Sequence, residues 1–450
     1  MVTRTVRERV DAIGKPVVRW GLGHLLPHQV TRHAAKRGDL QGRMIQASRG
    51  GDPFGIFEEI RAFGALYKGR FAYVTTSLPV VREVLSSNDF RTGFEAGGTL
   101  TRLGRLFLWA ADTGRLGPLE PPSLLVTEPP DHTRYRKLVT RVFSVRAVEN
   151  LRTRTEEIAA TLLDDLASAA NGGEVVDLVE AYCTLLPVTV ISEILGVPAS
   201  EQARILAFGE AAAPSLDLGL SWREFRQVEA ALRQFDTWLG THLEYLRQHP
   251  GDDLLSQLVA AREDGVGLDE RELKATAGLV LAAGFETTVN LLGNGVALLR
   301  DHPDQLEALT ADPSLWPNAV DEILRFDPPV LLTGRSSLRA TEVAGQPVPA
   351  GALVTTILAA ANRDPEVFTD PNRFDVARDN AKEHVSFSAG RHFCLGAALA
   401  RMEGEVGLRM LFERYPDLRT LPGATRRPTR ILRGFATLPV RLGARAEIAV

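Results

Sequence analysis

The stretch FSAGRHFCLGAALAR, Phe387 to Arg401, decides how this chain is read. Cys394 sits between Gly390 and Gly396. An apolar helical pattern follows it (Leu395, Ala397, Ala398, Leu399, Ala400), with no breaker until Gly404. The thiol therefore stands where a loop becomes a helix. Free backbone N–H groups and the positive end of the helix dipole favour a thiolate there. Gly390 and Gly396 carry no Cβ, so the loop can fold back tightly and let something flat approach its backbone. His392 adds a donor or a second ligand. Two readings stand at this point: a buried free cysteine in a helical core, and a thiolate ligand for a soft metal or haem iron.

The segment from Asp269 to Arg300 predicts the longest helix. Its middle, LVLAAGFETTVNLLGN, is apolar nearly all round and should run through the core. Glu286, Thr287, Thr288 and Asn290 interrupt it. Such groups inside an apolar helix are costly unless paired or functional. Ala283 and Thr287 share one face. Gly284 beside them permits close approach to a ligand and weakens the helix locally. Hydroxyls bonded back to carbonyls would explain the threonines but not the acid.

Further segments follow from the same reasoning. In EPPDHTRYRKLV two prolines precede Asp131, an N-cap for a helix through Val142 that carries His132 and Arg136 on one face. Glu322 and Arg325, three apart, suit an ion pair, of small value if exposed. Residues 95–125 read as a long irregular apolar connection, a kind that is often functional. Residues 330–360 read as β, with Pro349-Ala350-Gly351 as a hairpin turn. ILRGFATLPVRL reads as a second hairpin. NRDPEVFTDPNRFDVAR, with Arg373, is a polar meander. Helical patterns with short Gly/Pro breaks fill 146–300 without a linker, which argues for one mainly helical domain with small β-sheets.

Composition narrows the function. The chain has 450 residues, 44% of them apolar, and a net charge of -4 with no long run of one sign, so nucleic-acid binding is not indicated. Its two cysteines, Cys183 and Cys394, fit a reducing cytosol better than a secreted scaffold, with a disulfide between them left open. Cys183 reads as core. Pro16, Arg19 and His24 interrupt any signal-peptide core, and no run reaches the roughly 18 to 20 apolar residues of a membrane span. The basic N-terminal segment can form an amphipathic surface helix on Val6, Val10, Ile13 and Val17. A solvated docking helix is favoured over peripheral membrane contact, which stays open.

Together these segments resemble the cytochrome P-450 superfamily, in its soluble bacterial, actinobacterial form, over essentially the whole chain. Four motifs stand in the family's order: AGFETT; Glu322 and Arg325; Pro371-Asn372-Arg373-Phe374; and the haem loop from Phe387 to Gly396. The resemblance implies a mainly α fold with small β-sheets, built around a long central helix and haem b. Residues 1–50 would be an N-terminal extension and 51–450 the haem domain. It implies Cys394 as the thiolate ligand of iron, with Phe387 and the loop at Gly390 and Gly396 shielding the sulfur. Ala283 and Gly284 would border the haem. His132, Arg136, Arg335 and His392 match propionate donors. Glu286 and Thr287 match the acid–alcohol pair that delivers protons to dioxygen. Glu322, Arg325 and Arg373 match a structural triad. The function implied is a cytoplasmic haem-thiolate monooxygenase. It would act on an apolar small molecule with dioxygen and electrons from an external ferredoxin and NAD(P)H-dependent ferredoxin reductase. Arg134, Lys137 and Arg141 offer a basic docking face for the ferredoxin. Substrate walls would come from 95–125, 211–220, Ala283, Leu332, Thr333 and a turn at Phe435–Ala436. The rivals are peroxide-driven or non-oxygenase chemistry on the same fold, and a zinc module using Cys394, His392 and His384.

Overall fold

The computed structural model describes residues 14–47, 51–93, 102–111, 117–140, 143, 145–169, 175–262 and 267–445. Nine helices organise the site: α1 (Leu78–Ser86), α2 (Arg102–Ala110), α3 (Asp131–Thr140), α4 (Val145–Ala169), α5 (Leu185–Ile194), α6 (Trp222–Gln248), α7 (Glu270–Asp301), α8 (Trp316–Phe326) and α9 (Ala397–Arg414). Local chemistry sets where the long ones begin. Asp269 accepts the Glu272 N–H at 2.8 Å, and the Glu272 carboxylate accepts the Asp269 N–H at 2.9 Å. Ser221 and Glu224 form the same reciprocal cap on α6.

The core sits where α5, α8 and α9 surround α7. Leu291, Leu292, Val296 and Leu299 of α7 meet Val406, Leu408 and Leu411 of α9 in one buried cluster. Each such side chain contributes roughly 1.5–3 kcal/mol of burial. Gly404 does not break α9, contrary to expectation. A Cβ there would lie 2.9 Å from Leu291 Cδ2, so the glycine is what lets α9 press against α7. By length and composition α7 could cross a membrane, yet most of it is buried inside the protein. Its apolar run is longer than expected because a buried core helix has no wet face.

A five-stranded sheet has the order β1-β2-β8-β5-β3, formed by β1 (Tyr67–Lys68), β2 (Tyr73–Thr75), β3 (Phe90–Arg91), β5 (Thr333–Ser337) and β8 (Leu353–Thr356). Strand β2 runs parallel to β8 (Val74 opposite Thr355), and β5 antiparallel to it (Arg335 opposite Val354). The other strands are β4 (Val175–Asp177), β6 (Thr341–Val343), β7 (Gln346–Val348), β9 (Arg419–Thr420), β10 (Thr425–Arg426), β11 (Phe435–Thr437) and β12 (Pro439–Arg441).

Both hairpin expectations need correction. The 330–360 hairpin joins β6 to β7 at Ala344 and Gly345, whose positive φ angles (49° and 73°) suit a two-residue turn. Pro349–Gly351 instead leads from β7 into a different sheet. In ILRGFATLPVRL, β11 pairs with β10 and β12 with β4 and β9, so adjacent strands diverge into separate sheets. Phe435 therefore lies in a strand, not a turn.

The 95–125 connection contains α2, while 94–101 and 112–116 lie outside the described residues. Helix α3 ends at Thr140, and residues 141–142 also lie outside them. So do Val6, Val10 and Ile13. Val17 is exposed on a helix that runs from residue 14 to Lys36 through a π turn at Gly21–Leu25. Cys183 is buried, and both cysteines are free.

Candidate active site

Cys394 lies just before the Gly396 cap of α9. Its N–H donates to the Phe387 carbonyl at 2.9 Å, which folds the loop back on itself. Phe387 is buried beneath the Arg401 guanidinium, 4.6 Å from the ring centre. The two loop glycines do different jobs. Gly390 has φ +66°, and a Cβ on it would sit 2.5 Å from the Leu85 carbonyl oxygen, so it lets the loop lie on α1. Nothing stands within 4 Å of a Cβ built on Gly396, which faces open space. Cys394 keeps an exposed surface although protein crowds its thiol. Burial pushes the thiol up, against the Gly396 N–H and the Arg136 and Arg401 charges. The expected helix-end bias towards thiolate is thus outweighed, and a bound cation would be needed to restore it.

Basic groups gather beside this loop. Arg136 Nη2 donates to the Phe393 carbonyl at 2.7 Å, one residue from the thiol. The His132 ring lies 4.5 Å from that of His392, and its buried Nε2 has no partner. Burial, then the nearby His392 and Arg136 charges, lower His132 to about 4, so it is a neutral imidazole. Arg335 is buried, pushed down to about 10 by burial, and donates only to Thr333 Oγ1 (3.2 Å) and the Gly334 carbonyl (2.9 Å). Among the described residues no carboxylate pairs with Arg335 or Arg136. His392 differs from expectation: its Nε2 turns to Glu128 Oε1 at 3.4 Å.

Glu128 is a hub the sequence reading overlooked. It also accepts from Arg391 Nη1 at 2.9 Å and from the Thr92 N–H at 2.7 Å. Burial would raise Glu128, but His392 and Thr92 outweigh it and hold the carboxyl at about 2. Its only advance signal was its place before Pro129-Pro130. An orphaned imidazole, two unpaired guanidinium groups and an open thiol fit a flat anionic group with a metal centre, which is what haem presents.

On α7, Ala283 is exposed and Thr287 half-buried, while Leu281, Glu286 and Thr288 close by are buried. The Thr287 hydroxyl donates to the Ala283 carbonyl at 3.0 Å, and that of Thr288 to the Gly284 carbonyl at 3.3 Å. Gly284 does not face this opening, a correction to its expected role. A Cβ there would lie 3.0 Å from Ile191 Cγ1, so it accommodates α5, and the helix runs through it unbroken. Glu286 is buried, with Oε1 3.3 Å from Arg427 Nε. Burial raises its carboxyl, Arg427 lowers it, and the net shift is upward.

The structural triad also changes membership. Arg325 Nε and Nη2 grip Glu322 at 2.6 and 2.8 Å, fully buried. The third guanidinium is that of Arg378, 3.3 Å from Glu322. Arg373 contributes its carbonyl oxygen to Arg325 and Arg378, while its side chain is 65% exposed. Its side chain points out because the meander's backbone, not its side chain, closes the network. His384, the third zinc candidate, is committed elsewhere. Its Nδ1 accepts the Ser386 N–H, so Nε2 carries the proton and donates to Asp321 at 3.1 Å. No metal-holding cluster occurs among the described residues.

Known proteins agree with this geometry. The sequence profile of the family described as Cytochrome P450 matches residues 314–443. Putative cytochrome P450 140 of Mycobacterium tuberculosis is 51% identical over 433 residues, 95% of this chain and 98% of the relative. The 6-deoxyerythronolide B hydroxylase of Saccharopolyspora erythraea is 42% identical over 320 residues, 70% of this chain and 77% of the relative. The solved structure of Mycobacterium smegmatis CYP164A2 superposes with a TM-score of 0.78 at 32% identity, covering 89% of this chain and 99% of that one. With such identity along nearly its full length, and an open thiol loop ringed by cations, the chain belongs to the cytochrome P450 family of haem-dependent monooxygenases.

Proposed function

We propose that residues 51–450 form the haem domain of a cytoplasmic monooxygenase, with 1–50 as its N-terminal extension, that inserts oxygen into an apolar small molecule. Haem b would be held by the Cys394 thiolate, with His132, Arg136 and Arg335 donating to its propionates, His392 placed beside them by Glu128, and Ala283, Phe387 and Gly396 bordering it. Bound, that group supplies the reductive activation of dioxygen. The observation that carries the reading is an open thiol loop beside which His132 Nε2 has no partner and Arg136 and Arg335 make no ion pair among the described residues.

The protein's own part in the chemistry is proton supply. Thr287 can donate and accept, and freeing its hydroxyl from the Ala283 carbonyl costs about 1 kcal/mol. Glu286 keeps its proton to a higher pH than an ordinary glutamate, so it can resupply that hydroxyl, and Arg427 links it towards solvent. Electrons would arrive from an external ferredoxin and NAD(P)H-dependent reductase. Of the expected docking face, Arg134 is already held by Glu272 at 2.5 Å, Lys137 lies on α3, and Arg141 lies outside the described residues. A relative named for hydroxylating 6-deoxyerythronolide B supports an organic substrate.

The test is optical. The reduced carbon-monoxide complex should show the red-shifted Soret band of thiolate ligation. Cys394→Ser should abolish that band, and its persistence in the variant would refute the ligand assignment.

A further inference from the structure

Single exposed apolar side chains are ordinary on protein surfaces, whereas clusters of them mark contact sites. Half of the exposed large apolar residues described in this protein fall in three segments that are remote in sequence but touch one another. The first is the helix from residue 14 to Lys36, with Val17, Leu25, Leu26 and Val30 outward. Its inner face is fully spent. Arg19 bridges Glu229 Oε1 (2.6 Å) and the Ala110 carbonyl (2.9 Å), and Trp20 Nε1 donates to the Leu220 carbonyl at 2.9 Å. The extra residue of the π turn brings Leu25 round to the side of Val17. The second segment is α2, with Leu106 and Trp109 exposed and Lys15 Nζ 5.7 Å from the Trp109 ring centre. The third is residues 218–222, leading into α6, with Leu218 and Trp222 exposed. There Trp222 packs edge-on against Trp20 at 5.6 Å and lies under Arg226.

Charge distinguishes the kind of partner. Residues 14–38 contain Lys15, Arg19, Arg32, Lys36 and Arg37 and no acid, and α2 carries Arg102 and Arg105 and no acid. Arg32, Lys36, Arg37, Arg105 and Arg226 are exposed. Tryptophans at the edge of an apolar face, flanked by lysine and arginine, have the chemistry of the boundary between headgroup and acyl chain. The carboxylates beside this face are engaged within the protein: Glu224 caps α6, buried Glu229 holds Arg19, and Asp217 accepts the Arg430 and Ile431 N–H groups.

We propose that this face docks on an anionic lipid bilayer, with Trp222, Trp109, Leu25 and Leu26 entering the interface and the basic groups on the headgroups. None of these residues is among those assigned to the haem, although Leu106, Trp109 and Leu218 lie in stretches expected to wall the substrate, so the vesicle test is read separately from turnover. The test uses the full-length holoprotein and sedimentation with vesicles of phosphatidylcholine, with or without phosphatidylglycerol. Binding should require phosphatidylglycerol and weaken as salt rises. Tryptophan fluorescence should be quenched by brominated acyl chains. Arg32→Glu with Lys36→Glu, which alters exposed groups only, should weaken binding at least about tenfold. Leu25→Glu with Leu26→Glu should abolish the bromine quenching. Absence of vesicle binding by the wild-type holoprotein would overturn the proposal, as would binding that both double variants leave unchanged. Capture of a soluble protein by this face without vesicle binding would overturn it equally. If the leucine double variant loses the haem spectrum, the arginine–lysine variant decides by itself.

Discussion

Arg325 and Arg335 are both buried, and they use their donors differently. All five N–H groups of Arg325 meet protein acceptors: two on Glu322 and one each on the carbonyls of Asn362, Pro371 and Arg373. Arg335 spends one nitrogen on its own strand and has no carboxylate partner among the described residues. A charge completed inside the chain serves the fold. A charge buried without a contacting counter-ion costs free energy, which the nearby Glu128 charge opposes and an anionic ligand would offset further. The same contrast separates neighbours on α7, where Thr288 is buried towards Glu403 while Thr287 borders exposed Ala283.

The largest effect should come from breaking the completed cluster. Arg325→Ala leaves buried Glu322 only Arg378 and the Asp375 N–H and should cost about 3–5 kcal/mol in denaturant unfolding. A smaller loss would mean that Arg378 alone can balance Glu322. Arg335→Gln should act the other way round. Stability of the haem-free protein should hold or rise, because a desolvated charge is gone, while haem dissociation should quicken by roughly tenfold to a hundredfold. Equal loss of both quantities would erase the distinction between the two arginines.

On α7, Thr287→Ala should leave haem and substrate binding intact. It should also cut the ratio of product to NAD(P)H oxidised by about tenfold or more, with reducing equivalents leaving as hydrogen peroxide. Thr288→Ala should leave that ratio unchanged. An unchanged ratio in Thr287→Ala would remove this hydroxyl from proton delivery.

Glu403 offers a milder test by pH. Burial raises its carboxyl well above the ordinary range, with Thr288 opposing, so the folded form holds it neutral. For a pKa raised by folding, the stability is fully present below the unfolded value and is lost as pH rises. Glu403→Gln removes that loss. Its stability advantage over wild type should therefore appear above the ordinary glutamate pKa and widen by at most about 1.4 kcal/mol per pH unit. The smallest effect belongs to Arg373→Ala, expected within about 0.5 kcal/mol of wild type because its guanidinium is exposed. Arg378→Ala should cost clearly more.

Periodicity made α7 and α9 readable, because an apolar helix must be buried and a reciprocal cap such as Asp269–Glu272 is local chemistry. The thiol loop was readable because glycine, histidine and cysteine lie within a few residues of one another. Pairing across distance was not. Nothing local distinguishes Arg373 from Arg378 as the partner of Glu322, since both lie in the same polar meander and only its path turns one side chain inward. Gly284 and Gly390 suggested room for a ligand, but a glycine's sequence position does not say which surface needs the space. Strands β11 and β12 looked like a hairpin because adjacency is the usual rule, and the register of remote strands overrode it.

By itself, then, the sequence determined the central helix and the cysteine loop at the start of α9, since each follows from residue types a few positions apart, and its motif order carried the family resemblance. The tertiary structure alone decided which buried charges are answered from within the chain. It joined Glu128 to His392 and Arg391, left His132 Nε2 without a hydrogen bond and Arg335 without an ion pair among the described residues, and brought Trp20 against Trp222 and Lys15 over Trp109. Those outcomes depend on contacts between segments hundreds of residues apart, and such contacts are fixed by packing of the whole core, not by any local pattern.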